Sequence, residues 1–302
     1  MNENIEVTSL VVHFNNAQDC IAVVESLLNL SMSKHKIVVV DNCSKETEWK
    51  QVVQKFAANT NIELVVSEKN GGFGYGVNYG FYFMLKKYPT LKFLHVINCD
   101  ALVIENNYLN ELVNVLTKNE NAGLVGPAVL MEDLKTIQNT ILPLTSLKNA
   151  LNYQARFYGL SKITDPPEVQ KVECVNGVCF VVKKEVFEQV GGFCEDYFMY
   201  NEEQDLCLKI SKAGKDVLYW SGKSIMHKGA LRHETEKINW RYFYNRRNQV
   251  LFVAKHRSFL EAVVLAKLFI FSGFKKMVFN KESEVNYWRF IKALVLASFG
   301  KV

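Results

Sequence analysis

Short, almost wholly apolar segments alternate with helix-patterned ones through the first 130 residues, and that order leaves few folds open. SLVVHF (9–14), KIVVVD (36–41), IELVVS (62–67), LKFLHVINCD (91–100) and AGLVGPAVL (122–130) read as strands. They lack the polar–apolar alternation of a sheet with one wet face, so both faces must be covered. Between them, Ile21, Val24, Leu27, Leu28 and Leu30 recur at helical spacing within 17–30. Residues 46–58, the stretch ending near Lys87, and 106–118 read likewise as helices. The pattern predicts an α/β fold: a mostly parallel central sheet flanked by helices.

The second half changes character. Residues 131–170 are patchy, with prolines at 143, 166 and 167, and read as loops or an acceptor-side insertion. CVNGVCFVVKKEVFEQVGGF (174–193) predicts a strand and then a helix ended by paired glycines. NEEQDLCLKISKAGK begins acidic and ends basic, as the helix dipole favours. DVLYW reads as a last strand, and after Asn239 the chain becomes helical. The expected division is a catalytic domain over 1–238 and a helical extension over 239–302. Within the former, 1–130 forms the nucleotide half and 131–238 the acceptor half.

Bulk properties exclude several classes. A net charge of +5 without a basic stripe argues against nucleic acid as a partner. Seven cysteines, an odd count with no CxxC pair, point to a reducing compartment. The opening MNENIEVTS lacks a secretory signal pattern, and no segment is read as a membrane span.

In an open parallel sheet, ligands bind beyond the carboxyl ends of the strands. The polar residues there are His13-Phe14-Asn15-Asn16, Asp41-Asn42-Cys43-Ser44, the glycine-rich NGGFGYGVNYG, and Asn98-Cys99-Asp100. Each alone suits a turn. Together on one rim they offer an aromatic face, carboxylates, amides and a backbone open to close approach, which suits a nucleotide with phosphates and a divalent metal. Gly72, Gly74 and Gly76 give GxGxG after the third strand rather than GxGxxG at the first turn, so a dinucleotide site is rejected. In NEEQDLC, Glu202 and Asp205 share a helix face while Glu203 points elsewhere. The three carboxylates are expected to raise one another's pKa, leaving one as a general base or all as dipole partners. His227 follows the last strand as a metal ligand or a structural residue.

These motifs, in this order over about residues 8–256, resemble the family 2 glycosyltransferases with a GT-A fold. The likeness is nearest to bacterial rhamnosyltransferase-like enzymes of surface-polysaccharide assembly. VVHFNN is similar to the family's opening strand, VVVDNCS to V-V-D-N-x-S, NGGFGYGVNYG to N-x-G-F-x-x-G-x-N-x-G, and VINCD to a variant D-x-D motif. GGFCEDYFMYNEEQDLCLKISKAG resembles the family's base-bearing segment, and HKGA its H-x-x-G tail.

The resemblance implies roles. Phe14 stacks on the nucleobase beside His13 and Asn15, and Asp41 bonds its edge next to Asn42. Gly71, Gly74, Gly76 and Asn78 shape the sugar-nucleotide pocket. Asn98 replaces the first acid of D-x-D and contacts ribose, while Asp100 and His227 hold Mn²⁺ or Mg²⁺. Glu203 stands where the family has its catalytic aspartate, with Glu202 as second candidate. Cys194 replaces an aspartate of the same segment. The implied reaction is inverting transfer from a nucleotide-diphosphate sugar to a saccharide acceptor, lipid-linked, in O-antigen or capsule assembly, at the cytoplasmic face of the membrane. Two alternatives are a nucleotidyltransferase and a catalytically inactive sugar-nucleotide or polysaccharide binding subunit.

In the C-terminal part, Arg246 and Arg247, with Asp205 from the acidic helix, are the candidates for acceptor or phosphate contact. FLEAVVLAKLFIFSGF (259–274) and the final WRFIKALVLASFGKV read as helices lying in a membrane interface, packing on one another, or pairing across a homodimer.

Overall fold

The computed structural model describes residues 4–151, 161–228, 239–279 and 285–302. It opens as the alternation requires: β1 (Val7–His13), α1 (Ala17–Leu28), β2 (His35–Asp41), α2 (Glu46–Phe56), β3 (Ile62–Val66), α3 (Phe73–Lys87) and β4 (Phe93–Ile97). Next come β5 (Ala101–Val103), α4 (Tyr108–Lys118), β6 (Ala122–Leu130), β7 (Ile137–Gln138), β8 (Ile141–Leu142) and α5 (Leu147–Leu151). The acidic half continues with β9 (Val169–Lys171), β10 (Cys174–Val175), β11 (Cys179–Lys183), α6 (Lys184–Gln189), α7 (Glu202–Lys212) and β12 (Asp216–His227). Three helices close the chain: α8 (Trp240–His256), α9 (Phe259–Phe279) and α10 (Tyr287–Ser298).

The main sheet runs β3-β2-β1-β4-β11-β6-β12-β5. Its first four strands are mutually parallel, which puts the carboxyl ends of β1 to β4 on one rim. β11 lies antiparallel between β4 and β6, starting at that rim where Cys179 sits opposite Ile97. This reversal brings the Asn176–Gly177 turn onto the same rim.

Odd and even strand residues feed separate cores. Val7, Val11, Ile37 and Val39 pack under α1, α2 and α4. Leu10, Val38 and Val40 lie under α3 in a second core that includes Phe81 and Phe187. Burying each such side chain contributes about 1.5–3 kcal/mol. The C-terminal helices share this second core through Phe243, Phe252, Phe290 and Leu294. α10 runs back along α9, with Phe299 against Phe259 at one end and Tyr287 against Phe274 at the other.

Several expectations need correction. The glycine-rich stretch is helix from Phe73 onward, not loop. A Cβ on Gly76 would lie 2.7 Å from Val12 Cγ1, and one on Gly80 2.5 Å from Val40 Cγ2, so these glycines let α3 sit close on the sheet. β5 was not read from the sequence because three residues carry no periodicity; it pairs antiparallel with β12. DVLYW is the start of a strand extending to His227, which is therefore its last residue. Residues 131–170 contain short strands and α5, with 152–160 outside the described residues. Gly229 and Ala230 of the HKGA tail also lie outside them.

Candidate active site

The ends of β1 and β2 meet in register, His13 opposite Asp41. His13 is fully buried and sits 2.9 Å from Asp41 Oδ1 through Nδ1. The backbone N–H of Asn16 donates to His13 Nε2 at 3.3 Å, which puts the ring proton on Nδ1, toward the carboxylate. The Ser44 N–H donates to both Asp41 oxygens. Burial alone would raise the Asp41 carboxyl; these bonds from His13 and Ser44 hold it below its ordinary range instead. Asp41 is thus an ionised, oriented group whose oxygens already have protein donors. Phe14 beside it is half exposed at 47%. Asn15 adopts a left-handed φ of 51°, and its Oδ1 accepts from Lys45 N at 2.7 Å, tying the first rim turn to the second.

Asn42 and Asn78 build the wall. Asn42 Nδ2 donates to Asn70 Oδ1 at 3.1 Å and Gly72 O at 3.0 Å, and its Oδ1 accepts from Ser67. Asn78, inside α3, brackets Phe193 by accepting from its N–H and donating to its carbonyl, both at 2.9 Å. Both amides therefore staple segments together. Gly72 has φ 91°, and a Cβ there would meet the Phe198 carbonyl oxygen at 2.0 Å. Phe73 N donates to that same oxygen at 3.1 Å, so the start of α3 is fastened to the 194–201 loop. Gly71 precedes this join, and Gly74 faces Phe193 Cβ at 2.8 Å from its own missing Cβ.

Asp100 and His227 come together from the end of β4 and the end of β12. His227 Nε2 lies 3.1 Å from Asp100 Oδ1, and Nδ1 lies 2.9 Å from Gln138 Oε1. The Gln138 oxygen accepts, so Nδ1 carries the proton and Nε2 aims its lone pair at a carboxylate oxygen. Two acceptors this close call for a proton or a cation between them. A carboxylate plus an imidazole is a donor set compatible with Mn²⁺ or Mg²⁺ completed by phosphate oxygens and water. Among the described residues no group of three or more His, Cys, Asp or Glu side chains converges to hold a metal. Nearby, Lys228 pairs with Asp19 at 2.8 Å. Burial and the charge of Asp100 push the Asp19 carboxyl up, but Lys228 and Asn16 outweigh them and hold it low. Asn98, half buried, donates its backbone N–H to Val178 O at 2.8 Å, joining β4 to the turn before β11.

The acids of α7 separate as their helical spacing requires. Glu202 and Asp205 are buried and Glu203 is half buried. Burial pushes the Glu202 carboxyl well above the usual range, and the charge of Glu203 adds to this. Among the described residues its Oε2 has no hydrogen-bond partner. Burial therefore disfavours its charged form. Glu203 stands over the rim turn, its Cβ 3.7 Å from where a Gly177 Cβ would be. The expectation that all three carboxyls are raised fails for Asp205. Burial would raise it, but His256 at 2.7 Å and Lys209 at 3.3 Å hold it low. Asp205 is a tie between α7 and α8, not an exposed acceptor contact.

Arg247 is likewise buried, with Nη2 donating to Asp196 O at 2.8 Å. Arg246 lies over the Tyr242 and Phe269 rings. Sequence reasoning missed Asn248, whose Nδ2 donates to Met199 O at 2.7 Å and Tyr200 O at 2.9 Å. Tyr200 and Asn201, at φ 71° and 69°, form a consecutive left-handed pair that launches α7. Asn201 is held in turn by Thr145, which also binds Gln204. The signal in the sequence is an Asn directly after the two arginines.

A mixed sheet with a nucleotide-type rim, a carboxylate–imidazole pair and an acidic helix start defines a sugar transferase of the GT-A type. A family model described as glycosyltransferase like family 2 matches residues 5–250, and the chain belongs to that family. It is 21% identical over 246 residues to the low-salt glycan biosynthesis hexosyltransferase Agl10 of Haloferax volcanii, covering 82% of this chain and 75% of that one. Over 61 residues it is 39% identical to an N-acetylglucosaminyl-diphospho-decaprenol L-rhamnosyltransferase of Mycobacterium tuberculosis, 20% of each chain. Among solved structures, GalNAc-T7 with UDP, GalNAc and Mn²⁺ superposes with TM-score 0.61 at 16% identity, over 82% of this chain and 47% of that one. S. aureus TarS 1-349 in complex with UDP gives 0.56 at 14% identity, over 97% and 81%. At these identities the structural likeness establishes the GT-A fold.

Proposed function

We propose that the chain moves a sugar from a nucleoside-diphosphate donor to a hydroxyl of a lipid-linked saccharide, with inversion, in polysaccharide assembly at the inner face of the membrane. The observation that carries this reading is the opposition of Asp100 Oδ1 and His227 Nε2 at 3.1 Å, fixed from behind by Gln138. Those two side chains would hold Mn²⁺ or Mg²⁺. Bound there, the ion supplies Lewis-acid neutralisation of the diphosphate as it leaves. UDP and Mn²⁺ in one structural neighbour, and a decaprenol-linked substrate in the name of one relative, support the donor, metal and acceptor classes.

The chain's own residues do the rest. Phe14 presents an exposed ring for the base, and the His13–Asp41–Ser44 cluster keeps the rim beside it rigid and negative. Asn98 faces the ribose side of the donor. Glu203 accepts the proton of the acceptor hydroxyl as its oxygen attacks the anomeric carbon. The bond from that carbon to the diphosphate oxygen breaks on the opposite face, and its electron pair leaves with the diphosphate. General-base help of this kind is worth about 10²–10⁴-fold. Burial disfavours the charged form of its neighbour Glu202. Residues 1–238 are the catalytic unit in this reading, with 239–302 a helical support. The test is donor turnover in Asp100→Ala and Glu203→Gln; wild-type rates in both would end the proposal.

A further inference from the structure

The last two helices carry an apolar face that the fold leaves outside. On α9, Leu260, Val264, Leu268 and Phe271 are all exposed and recur at helical spacing on the side away from the core. On α10, Trp288, Val295 and Phe299 form a second outward stripe, with Trp288 75% exposed. The stripes adjoin at both ends. Phe259 packs on Phe299 with ring centroids 5.2 Å apart, while Phe274 meets Tyr287 and Tyr287 meets Trp288. Contiguous exposed apolar area of this kind marks a binding face.

Its charges choose the occupant. Lys267, Lys275, Arg289 and Lys292 are exposed on these helices and Lys301 just after them, and from residue 259 onward the sequence has seven Lys or Arg against three acids, Glu261, Glu282 and Glu284. Among the described residues no helix is long and apolar enough to cross a membrane. An apolar stripe bordered by cations, on helices that do not span, lies in the plane of an anionic lipid surface. The face also connects to the rim. Arg289 stacks 5.0 Å above the Trp240 ring, Trp240 stacks on Tyr244, and Tyr244 stacks on Phe198 at 4.9 Å. Phe198 belongs to the loop that leads into α7 and Glu203.

We propose that the outward face of α9 and α10 is a docking surface for an anionic lipid bilayer, and that the Arg289–Trp240–Tyr244–Phe198 stack sets the height of the catalytic rim above it. This rests on the proposed transfer to a lipid-linked acceptor and assigns the surface that would bring the enzyme to it.

The experiment is flotation of the full chain with vesicles of phosphatidylcholine alone and of phosphatidylcholine mixed with phosphatidylglycerol. Wild type floats with the mixed vesicles and releases in high salt. Leu268→Ser with Phe271→Ser abolishes flotation. Lys267→Glu with Lys292→Glu weakens it by about fivefold or more per side chain. Both double variants keep wild-type stabilisation by UDP and Mn²⁺, since neither pair lies at the rim. A wild type that ignores both vesicles, or a Leu268/Phe271 variant that floats like wild type, overturns the surface. So does a non-floating dimer that the same double change splits, which would assign the face to a second copy. Failed flotation with intact donor turnover removes the docking surface alone; flotation without any donor binding removes the transferase reading alone.

Discussion

His227 and Asp100 are 127 residues apart in sequence and face each other at 3.1 Å, with the far nitrogen of the imidazole anchored on Gln138. The pair explains why a carboxylate follows the apolar strand β4: it answers a histidine that β12 delivers to the same rim. Gln138 orients the ring without touching the pair's open side. Replacing Gln138 with Leu should raise the Mn²⁺ concentration needed for half-maximal activity by about 10–100-fold, with kcat at saturating metal largely kept. Asp100→Ala should instead lose the Mn²⁺-dependent part of UDP stabilisation altogether. Thermal shift across a metal titration distinguishes the two.

Glu202 and Glu203 are adjacent in sequence and differ in burial, Glu202 buried and Glu203 half buried. Glu203→Gln should lower kcat by about 10²–10⁴-fold with donor binding kept. Glu202→Gln keeps the shape of a buried side chain whose charged form burial disfavours, so kcat should stay close to wild type. Its stability effect has a definite sign. The folded Glu202 carboxyl is raised above its unfolded value of 4.5, so the folded state binds the extra proton and loses stability as pH rises above that value. Glu202→Gln should therefore raise Tm at pH 7 and leave it nearly unchanged at pH 4. A lowered Tm at pH 7 would contradict the raised carboxyl.

The sequence was most informative where physics is local. Apolar runs placed β1 to β4 and β6 because a strand buried on both faces has little choice of composition. Polar residues at their ends marked the rim because the carboxyl ends of parallel strands share one edge. The direction of β11 was not legible: an apolar pentamer reads the same in either orientation, and only the turn at Asn176–Gly177 fixes it. The glycines of α3 misled for a related reason. Glycine serves close approach of any kind, and here the neighbour at Gly76 is Val12, not a phosphate. Asp205 and Arg247 misled because charge suggests surface, while their partners, His256 and the Asp196 carbonyl, lie in other segments.

The Asp205–His256 pair joins α7 to α8 through a buried bond of 2.7 Å. Burial raises the Asp205 carboxyl and its bonds to His256 and Lys209 lower it further than that, leaving it below 3.8 overall. A depressed carboxyl adds stability above its unfolded pKa and loses it as pH falls through the folded one. Asp205→Asn should thus cost about 1–3 kcal/mol at pH 7 and progressively less below pH 4. Denaturant unfolding at the two pH values measures the difference. An equal cost at both would mean that packing, not charge, makes the tie.

Asn248 holds the segment that leads into Glu203, the proposed base. Its amide holds the Met199 carbonyl before, and the Tyr200 carbonyl within, the left-handed pair Tyr200–Asn201 from which α7 starts. Left-handed non-glycine residues cost of order 1–3 kcal/mol each and persist only where neighbours hold them. Asn248→Ala removes both bonds, so the turn should relax and shift Glu203 at the first turn of α7. The Asp100–His227 pair lies on other segments, whereas the start of α3 touches this loop at Phe198 O. Stabilisation by UDP with Mn²⁺ should therefore fall less than kcat, which should drop by about 10-fold or more, as small misplacements of a catalytic group do. Asn248→Asp, which keeps the shape but offers no N–H, should match Asn248→Ala. Asn248→Gln, which keeps the donor on a longer arm, should recover part of the rate. If nucleotide binding falls in step with kcat, the residue supports the whole cleft and not the base alone.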